Sequence, residues 1–311
     1  MSTLLITHPC YIAHKTPEGH PERPDRIRAV QQVLERQEFS TLQRDSAPQA
    51  TMDQLAAAHP PDYIMMLKSM RPKEGDADLV RVDADTTMSA GSWEAALRAA
   101  GAACFAVDEV MAGKAQNAFC AIRPPGHHAE KDTAMGFCFF NSAAVAAYHA
   151  RNAHGMERVA VVDFDVHHGN GTQDIFWDDA DMMYASTHQM PLYPGTGSRQ
   201  ETGAGNIFNA PLAPGDDGAA VAEAFDSVVM PALENFSPDL LIISAGFDAH
   251  HRDPLANINL TEEDFGVLTR QMLDFAENHC GGRVVSLLEG GYDLKGLSMS
   301  VGTHVRALMG S

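Results

Sequence analysis

Short apolar runs rich in β-branched residues recur along the chain, at Leu4 to Thr7, Ala118 to Ile122, Arg158 to Phe164, Met182 to Thr187, Leu240 to Ser244 and Val284 to Leu288. Each reads as a strand buried on both faces. Helical patterns lie between many of them: Ser92 to Met111 and Ser142 to Asn152 are rich in helix formers, as is Gly218 to Asn235. Thr261 followed by Glu262, Glu263 and Asp264 reads as a capped helix start, and Gly281 and Gly282 punctuate that helix's end. Alternating strands and helices predict an α/β fold with a mainly parallel sheet covered on both faces. Residues 8 to about 90 are less regular, with HPERPDR leading into a helix near Ile27 to Gln37 and a loop rich in Lys, Gly and Asp around 72 to 85.

No Pro-, Gly- or Ser-rich linker, internal repeat or low-complexity tract interrupts the alternation, so residues 1 to 311 read as one domain. The formal net charge of −19 argues against nucleic-acid binding, which needs a basic face. It favours solubility or a cationic substrate instead. The five cysteines form no CxxC pair and read as reduced and structural. The first residues have neither a basic stretch nor an apolar core suited to a signal peptide, and no later run approaches a membrane span. The expectation is a cytoplasmic protein.

Candidate chemistry sits where apolar strands end. The run Arg158 to Gly171 passes from a strand into Asp163, Asp165, His167, His168 and Asn170. Residues two apart on extended chain face the same side, so Asp163, Asp165 and His167 can converge. Asp248 in SAGFDAH, His127 and His128 in RPPGHHA, and Tyr292 in LEGGYD follow three other strands. Parallel sheets bind ligands outside the carboxyl ends of their strands, which predicts that these clusters meet. Asp165, His167 and Asp248 would give a metal three N and O ligands and leave a position open, as in catalytic zinc. Iron, cobalt and manganese suit the same donors, and zinc is preferred for its geometry and lack of redox chemistry.

Together, HPERPDR, DADTTMSAGSWEAALRAAGA, RPPGHHA, GFCFFN, VDFDVHHGNGT, YPGTG, SAGFDAH and LEGGYD closely resemble the histone deacetylase family, including its bacterial amidohydrolase relatives. Asn170 and the tract at residues 83 to 102 resemble the class II branch. The resemblance implies a three-layer arginase–deacetylase fold with a central eight-stranded parallel sheet, and zinc held by Asp165, His167 and Asp248. It also implies two K+ or Na+ sites, one near Asp163, Asp165, His167, Ser186 and Thr187, the other near Phe176, Asp179 and Met182.

In that mechanism the metal polarises an amide carbonyl and lowers the pKa of water toward about 7. By resemblance, His128 takes the water proton and later protonates the leaving amine, His127 paired with Asp163 gives electrostatic support, and Tyr292 donates to the developing oxyanion. Asn170 would orient His128 without adding a charge. Gly136 and Phe137 in GFCFF, together with Tyr193, match positions lining the family's substrate tunnel. Asp85 is a candidate rim contact, and Arg26 is placed near an internal product pocket.

Gly169 stands where a binuclear manganese ureohydrolase would need another carboxylate, which favours one catalytic metal. A non-catalytic binding relative would be expected to carry lesions in the ligand set or the tyrosine, and none is present. Leu255 occupies the place of an acidic gate in polyamine-deacetylating relatives, so acetyl-lysine proteins or peptides are favoured over acetylpolyamines. Oligomeric state is not legible in the sequence.

Overall fold

All six apolar runs form strands, with ends within two residues of those expected. The structure is a computed structural model that describes residues 2–73 and 79–310. Residues 74–78, in the loop expected around 72 to 85, lie outside the described residues. In chain order the strands are β1 (Thr3–Thr7), β2 (Gln43–Ser46), β3 (Val80–Arg81), β4 (Thr87–Met88), β5 (Asn117–Cys120), β6 (Val159–Asp163), β7 (Met182–Gln189), β8 (Ile207–Leu212), β9 (Leu240–Ala245) and β10 (Val284–Leu288). Eight of them make one sheet in the order β2-β1-β5-β10-β9-β6-β7-β8, and β3 and β4 form a separate short hairpin. Every pairing in the large sheet is parallel.

The two large-sheet strands outside the apolar runs, β2 and β8, are its edges. All four residues of β2, QRDS, are exposed, so no burial pattern announces a strand there. Pro211 near the end of β8 has no N–H to donate, which an edge tolerates and a central strand does not. The interior strands are buried throughout, as a sheet covered on both faces requires.

The helix Ser92–Met111 forms as expected and packs on Ser142–His154. A second group joins Glu262–His279, Leu294–Leu308 and Pro24–Leu34. The helix expected at Ile27 to Gln37 starts earlier, at Pro24, whose fixed φ suits a first turn. Thr261 and Asp264 form the capping box that the sequence suggested. The expected helix Gly218 to Asn235 is interrupted by a π turn at Phe225–Val229, just before Pro231, which has no N–H to close an α turn.

The order β5-β10-β9-β6 sets four strands side by side at the sheet centre. Their carboxyl ends carry His127 and His128, Tyr292, Asp248, and Asp163 through His167 respectively. Topology alone therefore gathers the four polar clusters.

Candidate active site

Asp165, His167 and Asp248 are buried, and each offers a ligand atom within 4.8 Å of the others. Backbone amides aim the carboxylates: Asp165 Oδ1 accepts from His167 N (2.9 Å), Asp165 Oδ2 from Gly290 N (2.8 Å) and Asp248 Oδ1 from Val166 N (2.9 Å). His167 Nδ1 lies 3.1 Å from both Asp165 Oδ1 and Asp248 Oδ2. The chain packs so tightly here that a Cβ at Gly290 would overlap the Asp248 carboxylate. Burial penalises the His167 charge, yet its hydrogen bonds to the two aspartates lift it to about 10. Asp248 rises to about 7, first through burial and then through the charge of Asp165. The carboxylates thus draw a proton onto the imidazole between them, and a divalent cation bound by the same atoms would replace that proton. The donor set fits zinc.

The histidine pair sits beside this triad with its rings 4.0 Å apart. His127 Nδ1 donates to Asp163 Oδ2 (3.0 Å), and His128 Nδ1 donates to Asn170 Oδ1 (2.8 Å). The two rings are therefore unlike. Burial opposes a charge on His127, but Asp165 and Asp163 raise it well above the usual imidazole value. Burial and then the charges of His127 and His167 push His128 well below it. The surroundings favour charge on one imidazole and disfavour it on its neighbour. Asp163 also accepts from the Tyr184 hydroxyl (3.1 Å), and a Cβ at Gly169 would collide with both groups. That leaves no room at residue 169 for the extra carboxylate of a binuclear site.

Tyr292 is aimed by groups absent from the sequence-based expectations. Asp253 Oδ2 accepts from Tyr292 N (2.6 Å) and Asp293 N (3.2 Å), and its Oδ1 accepts from Leu255 N (3.0 Å). One buried carboxylate thereby ties Leu255 to the tyrosine loop. Arg26, expected near a product pocket, grips that loop: it donates to Gly291 O and Glu289 O (2.6 Å each), and its guanidinium lies 4.8 Å from the Tyr292 ring centroid. Burial raises the Tyr292 hydroxyl well above the ordinary phenol value, so it remains an O–H donor. Glu289 binds the histidine loop through Gly126 N (2.6 Å) and His127 N (3.2 Å), and burial pushes it up to about 7. Asp253 and Glu289 follow the same strands as Asp248 and Tyr292, which was the available signal for both.

Phe137 stands edge-on to Tyr292 (6.0 Å between centroids), and Tyr193 stands edge-on to His128 (5.2 Å). His20, not anticipated, packs 4.7 Å from Phe137. Gly136 and Phe137 both have positive φ, a strained turn that Asp85 and Thr86 hold by accepting from Gly136 N and Phe137 N (3.0 Å each). Asp85 Oδ1, expected at the rim, is occupied in fixing this wall.

The expected cation positions differ sharply. Ser186 pairs in register with Asp163, and its hydroxyl lies 2.9 Å from His188 Nδ1. His188 Nε2 donates to Gly197 O (2.9 Å), so Nδ1 accepts from Ser186 and the serine oxygen keeps acceptor capacity. Thr187 is buried alongside. The carbonyls of Phe176, Asp179 and Met182 do converge, but on Asn206 Nδ2, at 2.9, 3.0 and 2.6 Å. Arg151 also clamps the Asp179 carboxylate at 2.7 and 3.0 Å. An amide inside the cage and a guanidinium beside it do not fit a second cation. Elsewhere, His149 and His154 both meet Asp108 Oδ1 at 2.7 Å. The Gln54 amide nitrogen faces His149 Nδ1 (3.4 Å), which leaves Nε2 as the protonated donor to Asp108 rather than a ligand.

A parallel sheet with an acid and histidine pocket at its carboxyl edge defines an α/β metallohydrolase-type site on the arginase–deacetylase fold. The chain belongs to the histone deacetylase family: the model of the histone deacetylase domain matches residues 20–308. It is 40% identical over 311 residues to histone deacetylase 10, chloroplastic, of Oryza sativa subsp. japonica, covering 94% of this chain and 70% of that protein. It is 42% identical over 280 residues to the histone deacetylase-like amidohydrolase of Pseudomonas aeruginosa, covering 88% and 73%. The crystal structure of the HDA15 HD domain superimposes with a TM-score of 0.93 at 35% identity, covering all of this chain and 88% of that one. The chain is a hydrolase of this family.

Proposed function

We propose that the chain hydrolyses N-acyl amides, with acetyl-lysine as the favoured substrate, using one zinc ion held by Asp165, His167 and Asp248. The reading is carried by the meeting of that triad, the unlike histidine pair and Tyr292 at one point of the sheet edge. Zinc bound there supplies Lewis acidity toward the acyl carbonyl and makes water acidic enough to serve as nucleophile near neutral pH. His128, with Nδ1 engaged by Asn170, keeps Nε2 free to take the water proton and return it to the departing amine. His127, charged against Asp163, stabilises negative charge as it develops. The Tyr292 hydroxyl donates to the acyl oxygen as it becomes an oxyanion.

Phe137, Tyr193 and His20 form aromatic walls suited to a slender aliphatic chain leading to the amide. Leu255, held beside the tyrosine loop, offers a distal ammonium no charge partner, which supports lysine over polyamine. One monovalent cation, K+ or Na+, is assigned to the Ser186 position. A side-by-side assay of acetyl-lysine peptides and acetylated polyamines tests the substrate reading. Faster turnover of the peptide, by kcat/KM, is expected, and a higher kcat/KM for the polyamine overturns the lysine assignment.

A further inference from the structure

Asn170 faces two groups at once: its Oδ1 lies 2.8 Å from His128 Nδ1, and its Nδ2 donates to Glu130 Oε1 at 2.7 Å and approaches Met135 Sδ at 3.3 Å. A side-chain amide has nearly the same shape in both flips but opposite polarity at its ends. Packing holds Asn170 in place, since it is buried, yet shape cannot choose the flip. An ionised carboxylate can. Glu130 only accepts, so Asn170 must present its NH2 group there and its oxygen to His128. His128 Nδ1 must then carry the proton, and Nε2 is left as the base.

We propose that Glu130 is a positioning residue that sets the tautomer of His128 through Asn170. The proposal rests on the reading of His128 as the base. It also accounts for the neutral residue at 170. An aspartate there would face Glu130 at hydrogen-bond distance, a like-charge pair in a partly buried network. Asparagine takes the position between base and carboxylate because it accepts on one side and donates on the other. Glu130 stands two residues beyond His128 in HHAE, on a segment held by its own turn from Glu130 N to Thr133 O (3.0 Å).

The test is a double-mutant cycle in the zinc-loaded enzyme with an independent spectroscopic readout. Glu130→Leu, which cannot anchor the amide, is expected to lower kcat by about 10- to 100-fold with KM little changed, because Glu130 touches no substrate. Glu130→Gln, whose carbonyl still accepts, is expected to restore most of that activity. Asn170→Asp is expected to cost at least about tenfold more kcat with Glu130 present than in the Glu130→Gln background, where the new amide donates to the aspartate. Imidazole 15N NMR should show His128 protonated at Nδ1 in the parent enzyme and a mixture of tautomers in Glu130→Leu. An equal cost of Asn170→Asp in both backgrounds, or an unchanged tautomer in Glu130→Leu, overturns the proposal. His128→Ala separates the two ideas: full activity in that variant removes the reading of His128 as base, whatever its tautomer.

Discussion

Two buried polar networks meet at the loop carrying Tyr292, and their charge is balanced in opposite ways. In the first, Glu22 takes Arg123 and Arg26 on Oε1 and has His14 Nε2 3.4 Å from Oε2, while the two guanidiniums also donate to the carbonyls of Tyr11, His14, Glu289 and Gly291. Each charged group has an opposite charge from the chain beside it, although Glu22 Oε2 and Arg123 Nη2 make no hydrogen bond. In the second, Asp163, Asp165, Asp248 and Glu289 are buried, and they meet histidine, tyrosine and serine side chains and backbone amides. Among the described residues no hydrogen bond joins a lysine or arginine side chain to those carboxylates; imidazoles contact Asp163, Asp165 and Asp248 directly, and Arg26 acts on Asp248 only through its charge. Burying charge is costly unless it is compensated. The self-paired network builds a rigid floor under Tyr292, whereas the acid-rich one is arranged to receive a cation.

The sharpest break of this contrast removes one acid. Asp248→Asn should abolish hydrolysis and metal retention while leaving the fold intact, read by metal content and circular dichroism. Glu22→Gln should instead spare metal binding and destabilise the fold by about 3 to 5 kcal/mol, because it leaves two buried guanidiniums underpaired; chemical denaturation measures this. Burial works against the charge of Glu22, but Arg123, His14 and Arg26 hold its carboxyl below the ordinary value of 4.5. Its contribution is therefore complete above that value and fades as pH falls below it. The parent should lose stability more steeply than Glu22→Gln in that acid range.

Tyr292→Phe should cost about a hundredfold in kcat with metal content unchanged, as loss of an oxyanion donor does. The smallest effect is expected where the networks touch. Arg26→Lys keeps the charge but loses the fork that grips Glu289 O and Gly291 O, and should lower kcat by about threefold to tenfold through a less well-held Tyr292. A metal-content change in Arg26→Lys would show that the two networks are not separate.

The chemistry-bearing residues were legible because each follows a short apolar run, and a parallel sheet gathers such positions at one edge. Asp165, His167, Asp248, His127, His128 and Tyr292 all meet there. The supporting carboxylates were not legible. Glu22 stands four residues before Arg26 within HPERPDR, but its other guanidinium partner, Arg123, is 101 residues away, and nothing local marks it as buried. Glu289 lies within LEGGYD, and Asp253 and Glu130 lie just beyond SAGFDAH and RPPGHHA, but their partners are backbone amides, a serine hydroxyl or an amide side chain, which no residue pattern reports. Asn206 shows the same limit from the other side. The carbonyls expected around a second cation do converge, yet what they meet is a side chain about thirty residues away from Phe176. The edge strands β2 and β8 escaped for different reasons: β2 is exposed and lacks the burial that writes itself into sequence, while β8 is largely buried but broken in pattern by Asn209 and Pro211.

The central claim is that the acid-rich pocket works only with its cation. Acetate release from an acetyl-lysine peptide should be measured on the enzyme stripped by chelation to less than a tenth of an equivalent of metal, then again after stepwise return of zinc. Activity should fall with metal content and return in proportion up to one equivalent. Undiminished hydrolysis by the stripped enzyme would contradict the account.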